Sequence, residues 1–144
     1  MINPSVYRAY DLRGLYPADM NEEVAYAAGQ AFVSVMNAKR VVTGRDVRPS
    51  GNSLLAALQK GITDAGADVI EVGVISTEML YFAAQHLDCD GGLSVTASHN
   101  PAGWNGLKCI GKGGIPLTTD AELGQLYDFM RSGQKLTSST PGRV

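Results

Sequence analysis

Thr96-Ala97-Ser98-His99-Asn100-Pro101 follows the apolar, β-favouring stretch Leu93-Ser94-Val95 and precedes a glycine-broken run to Gly106-Leu107-Lys108. A strand that stops at polar residues with a proline after them presents a hydroxyl on a tight loop at a sheet end. Ser98 in that place is a candidate nucleophile or phosphate carrier, His99 a proton handler, and Lys108 a cation brought back by the next strand. The same residues, Ser, Asn, Pro and Gly, also make an ordinary turn before a hairpin. Both readings stand on local chemistry.

On either side of this loop the chain alternates strand and helix signals. Tyr7 to Gly14 reads as a short strand or an extended loop carrying two arginines. A helix follows, capped by Asp19 or Asn21, with Glu22 and Glu23 in its first turn. Its apolar stripe is Val24, Ala27, Ala28, Ala31, Phe32 and Val35, and Gly29 marks a close packing contact. Arg40 to Thr43 is a β-type run. The charged loop Arg45-Asp46-Val47-Arg48-Pro49-Ser50-Gly51 then leads to a helix with Leu54, Leu55, Leu58 and Ile62 inward and Gly66 beyond its end. That strand, glycine turn and helix start suit an anion-facing corner; equally, Asp46 can pair with Arg45 or Arg48 and stiffen the loop.

Val69-Ile70-Glu71-Val72-Gly73-Val74 is apolar almost throughout, which predicts a central strand. Thr77 is placed to cap the next helix, which runs to Leu87. His86, near its end, has no spaced partner for a metal and reads as structural. The short return through Leu107 to Ile110 predicts an antiparallel strand. Thr119 with Glu122 reads as a capping box before a last helix with Leu123, Leu126, Tyr127 and Met130 inward. The order gives an α/β fold: a three-layer αβα domain with a mixed, mostly parallel sheet and one antiparallel strand.

The 144 residues fit one domain, read as 1–134, and the polar segment 135–144 as linker. A hydrophobic fraction of 44% and a charged fraction of 18% are those of a folded globule. A net charge of −2 argues against nucleic acid as a partner. No basic-then-apolar leader and no membrane-length apolar run occur, so the expectation is a cytoplasmic protein without membrane contact. Cys89 and Cys109 lack zinc-site spacing and are expected as reduced thiols.

Rival motifs are weaker. Gly106 to Lys112 has the G-x-x-x-x-G-K outline of a P-loop, but Gly113 stands where the magnesium-binding hydroxyl belongs and the interior is strand-like. A Ser98–His99 hydrolase dyad is disfavoured, because adjacent side chains on extended backbone point apart. Asp88 and Asp90 read as a solvated turn.

Three motifs in order resemble the phosphohexomutase (phosphoglucomutase/phosphomannomutase) superfamily: Tyr10-Asp-Leu-Arg-Gly14, Gly44-Arg-Asp-Val-Arg48, and Thr96-Ala-Ser-His-Asn-Pro101 with Asn105-Gly-Leu-Lys108. The front variant, Tyr7-Arg-Ala-Tyr-Asp-Leu-Arg-Gly14, is closer to bacterial phosphomannomutases. The resemblance covers only the first of the family's four domains, so contacts to downstream domains are implied.

It implies that Ser98 is the phosphoserine and Lys108 the general acid/base. His99 and Asn100 would orient the loop, Arg13 would hold a phosphoryl oxygen, and Tyr10 would line the floor, with Arg45 and Arg48 in support. It also implies Mg2+, touched in this chain only by Ser98 through its phosphate, and a hexose 1,6-bisphosphate intermediate or activator. The ligand would be a phosphosugar, with mannose the favoured hexose, and this chain alone would have no turnover. The alternative is a phosphate- or phosphosugar-binding module, or a degenerate homologue without transfer.

Overall fold

A computed structural model describes residues 2–144. Its regular elements, after a 3-10 turn at Pro4–Val6, are β1 (Asp11–Leu15), α1 (Glu22–Met36), β2 (Arg40–Arg45), α2 (Gly51–Asp64), β3 (Asp68–Val74), α3 (Thr77–His86), β4 (Gly91–Val95), β5 (Trp104–Gly111) and α4 (Glu122–Ser132). The strands form one sheet in the order β1-β5-β4-β2-β3. β2 pairs in parallel with β3 and β4, while β5 runs antiparallel to both β4 and β1. Four strands therefore share one direction and β5 opposes them, so the pairings divide evenly between parallel and antiparallel.

Side-chain alternation sorts this sheet into two unlike faces. Leu12, Val41, Val69, Leu93, Val95, Leu107 and Cys109 point into a large core closed by α1, α2 and α4. On the other face Val42 and Ile110 pack with Leu80, Ala83 and Ala84 of α3 in a smaller core. The two cysteines are buried and unpaired, one in each core. α1 and α2 approach so closely that a Cβ on Gly29 would stand 2.5 Å from the Leu58 carbonyl oxygen. That contact explains a glycine in mid-helix.

Several local expectations hold and several do not. Asn21 caps α1, accepting from the Val24 amide at 3.1 Å. Gly66 has φ 94 just past α2, the left-handed step that ends a helix. β3 is an edge strand, not a central one. Its apolar run reflects partial cover on both faces, Val69 toward the large core and Ile70 and Val72 toward the small one, which periodicity does not distinguish from centrality. α3 is capped by Ser76, one residue before Thr77, through the Met79 amide at 3.4 Å. The Thr119–Glu122 capping box does not form, since Ala121 occupies the cap position of α4 and makes no side-chain bond.

The segment 135–144 has no helix or strand, yet it lies against the body. Gln30 bonds the backbone of Leu136, Gly142 donates to the Thr63 carbonyl at 2.9 Å, and the Val69 amide donates to that of Arg143 at 2.7 Å. Among the described residues no helix is long and apolar enough to cross a membrane.

Candidate functional site

The smaller core stops short of β1, so the α3 side of the sheet stays open over β1 and half of β5. Register fixes which side chains stand there. Asp11 pairs with Lys108 and Arg13 with Gly106 across β1 and β5, and Ser94 of β4 pairs with Lys108 from the other side. The backbones close in on Gly106 so tightly that a Cβ there would collide with the Leu12 carbonyl oxygen and stand 3.0 Å from that of Thr96, which explains a glycine at this position. Arg13, its partner on β1, donates to Asn100 Oδ1 at 2.7 Å and pairs with Asp11.

The Ser98 loop leaves β4 beside this face. Ser98 is exposed and has φ 54, a left-handed conformation that costs a residue with a Cβ about 1–2 kcal/mol. The turn is held by local polar contacts: Thr96 Oγ1 accepts from the Ser98 amide at 3.0 Å and donates to Asp46 Oδ2 at 2.8 Å. The same left-handed step overturns the argument against a Ser98–His99 contact. The backbone is not extended at Ser98, and Ser98 Oγ lies 3.2 Å from His99 Nδ1. Among the described residues no carboxylate hydrogen-bonds to the His99 ring, so no hydrolase triad forms.

Arg48 braces the loop from behind. Its guanidinium donates to the carbonyls of Ser98, Asn100, Pro101 and Trp104 at 2.6–3.0 Å, and its Nε to Asp46 at 3.1 Å. Every donor direction is occupied by the protein itself, so Arg48 is a scaffold for the serine and not a ligand-facing cation. Arg45 is turned away as well, donating to the Asp46 carbonyl at 3.0 Å beside Gly51.

A cavity of about 220 Å3 gathers Asp11, Arg13, Thr77, Glu78, Thr96, Ser98 and Lys108. A second, of about 370 Å3, lies on the other side of Arg13 and is lined by Arg8, Tyr10, Asn100 and Trp104, with Asp11 and Arg13 shared between the two. The structure thus brings Ser98, Arg13 and Lys108 into one cavity, His99 against Ser98, and Tyr10 and Asn100 into the neighbouring one. Asp11 and Thr96 were missed as contributors. Asp11 stands two residues from Arg13 on β1, the spacing that puts β side chains on one face, and Thr96 is tied to the Ser98 amide within the loop.

Chemically the cavity offers a hydroxyl open to solvent with a guanidinium and an ammonium on the adjoining strands. Such a set stabilises a phosphoryl group's spreading negative charge. No group of three or more His, Cys, Asp or Glu suited to a metal occurs among the described residues. Asp11 is tied to Arg13 and Asp46 to Arg48 and Thr96. These residues alone do not make a magnesium cage.

Residues 5–135 match the family model described as phosphoglucomutase/phosphomannomutase, alpha/beta/alpha domain I. A phosphomannomutase of Salmonella montevideo is 41% identical over 133 residues, which are 92% of this chain and 29% of that protein. One from Klebsiella pneumoniae is 39% identical over 93% of this chain and 85% of the relative. The crystal structure of a phosphoglucomutase/phosphomannomutase family protein from Burkholderia thailandensis superposes with a TM-score of 0.87 at 35% identity, over 99% of this chain and 33% of that one. The chain thus spans about a third or less of the Salmonella and Burkholderia proteins.

Proposed function

The chain belongs to the phosphoglucomutase/phosphomannomutase family through its domain I, and from that premise we propose that Ser98 carries a phosphoryl group exchanged with a hexose phosphate. Phosphoserine donates its phosphoryl to a free hydroxyl of a hexose monophosphate. The sugar oxygen–phosphorus bond forms, the serine oxygen–phosphorus bond breaks, and the hydroxyl proton passes to a base. The bisphosphorylated sugar then turns over and returns its other phosphoryl to Ser98. The net result is interconversion of the 1- and 6-phosphates, with mannose the favoured hexose because the Salmonella and Klebsiella relatives are phosphomannomutases.

Within this scheme Lys108 exchanges the proton, Arg13 holds a phosphoryl oxygen, and His99 and Asn100 set the serine's position. Tyr10 shapes the adjoining floor. A magnesium ion would supply further charge neutralisation, meeting this chain only at the oxygens on Ser98, with its other ligands from outside it. The reaction belongs to the cytoplasm, where sugar phosphates are handled. The observation that carries the reading is the exposed, left-handed Ser98 opening into one cavity with Arg13 and Lys108. The chain by itself is expected to show no mutase turnover.

The test is intact-mass spectrometry after incubation with a hexose 1,6-bisphosphate. A single phosphoryl adduct is expected, absent in Ser98→Ala. An unmodified chain that still binds the sugar phosphate would favour a binding module without transfer.

A further inference from the structure

We propose that Tyr127, on the closed side of the sheet, is a positioning residue that fixes the Arg8–Asp11 turn and, through it, Arg13 and Tyr10. The turn is the entry to β1. Tyr7 bridges to Leu12, and the Arg8 amide donates to the Asp11 carbonyl at 3.0 Å. Tyr127 comes up beneath it from α4. Its hydroxyl lies 2.8 Å from the Arg8 carbonyl oxygen and 2.6 Å from that of Asp11, one proton shared between the two ends of the turn.

The ring that delivers this hydroxyl is itself held. It packs against Tyr7 with centroids 4.6 Å apart, and the Arg131 guanidinium sits 5.0 Å over the Tyr7 ring. Burial, foremost, pushes the Tyr127 phenol pKa up, so it remains a donor. Asp11 links the two sides of the sheet: its carbonyl accepts from Tyr127 while its carboxylate pairs with Arg13. Movement of the turn is therefore transmitted to the guanidinium in the Ser98 cavity. A phenylalanine would fill the same core volume; the hydroxyl adds only the tie to this turn.

The consequence for phosphoryl handling rests on the Ser98 reading, but the positioning does not, so it is tested without ligand. Trp104 is the chain's sole tryptophan and lines the cavity that Arg8 and Tyr10 enter, so its fluorescence reports the turn. In Tyr127→Phe, amide exchange at residues 8–13 is expected to accelerate roughly five- to tenfold. Acrylamide quenching of Trp104 should rise about twofold in the same variant.

Tyr26→Phe is the matched control, because it removes a phenol bond to Asp64 between α1 and α2 and should move neither readout. In the unsubstituted chain, the Tyr127 hydroxyl proton is expected as a slowly exchanging resonance with cross-peaks to Arg8 and Asp11. Loss of thermal stability in Tyr127→Phe with exchange and quenching left at wild-type values would overturn the proposal, as would a Tyr127 hydroxyl in fast exchange with water. A bare Ser98 after bisphosphate treatment would defeat the phosphoryl reading and leave these measurements unchanged.

Discussion

Leu107 and Lys108 are neighbours on β5, yet they stand on opposite faces of the sheet. Leu107 points into the core that α1, α2 and α4 close, where it has no exposure at all. Lys108 points to the face that α3 covers only in part, and it meets Asp11, Ser94 and the Ser98 cavity. One face holds the sheet together and the other is left open for chemistry. A five-stranded sheet with three helices on one side and a single one on the other provides both at once.

If that division is right, substitutions on the two faces should separate cleanly. Leu107→Ala is expected to destabilise by about 3 kcal/mol, lost apolar transfer plus a cavity, whereas Lys108→Ala should move the urea midpoint little and abolish phosphoryl acceptance by Ser98. Equal losses of stability from both would erase the distinction. Arg48 is the test case between the faces, a cation at the site with a purely structural task. Arg48→Lys keeps the charge but loses the planar fork that reaches four carbonyls, so a cost of about 2 kcal/mol is expected. Faster amide exchange should accompany it at residues 97–104. Unchanged exchange there would show that the loop does not need the brace.

Ser98 sharpens the contrast in the opposite direction. Because its backbone is left-handed, Ser98→Gly should stabilise the chain by about 1 kcal/mol relative to Ser98→Ala, read as a rise in thermal midpoint. The opposite order would mean that the loop carries no backbone strain.

The smallest effect lies at the far end of the sheet. Asp90 accepts the backbone N–H groups of Lys39 and Arg40 at 2.8 and 3.2 Å, and those bonds, that of Lys39 first, hold its carboxyl below the usual aspartate range. A depressed folded-state pKa contributes stability above the unfolded value, near 4, and loses it as pH falls through the folded one. Asp90→Asn should therefore flatten the acid limb of the stability curve by about 1 kcal/mol or less. An unaltered limb would remove Asp90 from that role.

What the sequence made legible follows the same division. Helix stripes such as Val24, Ala28 and Phe32, or Leu123, Leu126 and Met130, are local periodicities, and each is buried where the spacing puts it. The return of β5 beside β4 was legible because a short connection leaves only the antiparallel choice. Strand order was not: β3 has the composition of a central strand, but β4 takes the place beside β2 through a crossover that no local pattern records. Asn21 was legible as a cap, while Ser76 was passed over for its neighbour Thr77, a one-residue choice that side-chain chemistry does not settle.

At the site, the alternation of Asp11 and Arg13 and the return of Lys108 follow from period two. The Asp46–Arg48 pair within its loop was legible too, whereas the reach of those two residues to the Ser98 loop and of Tyr127 to the β1 turn was not, since these partners lie dozens of residues away. The Ser98–His99 contact was misread because the chain turns there, the Asn100 amide donating to the Ala97 carbonyl at 3.1 Å, and a left-handed backbone carries no signal in a serine.

The central claim is that the oxygen of Ser98 accepts a phosphoryl group. Tandem mass spectrometry of the chain after exposure to a hexose 1,6-bisphosphate, with an acid wash that strips phosphohistidine but spares phosphoserine, tests it most directly. The account predicts one acid-stable phosphoryl group, mapped to Ser98. An unmodified Ser98, or a label that sits on His99 and disappears in acid, would contradict it.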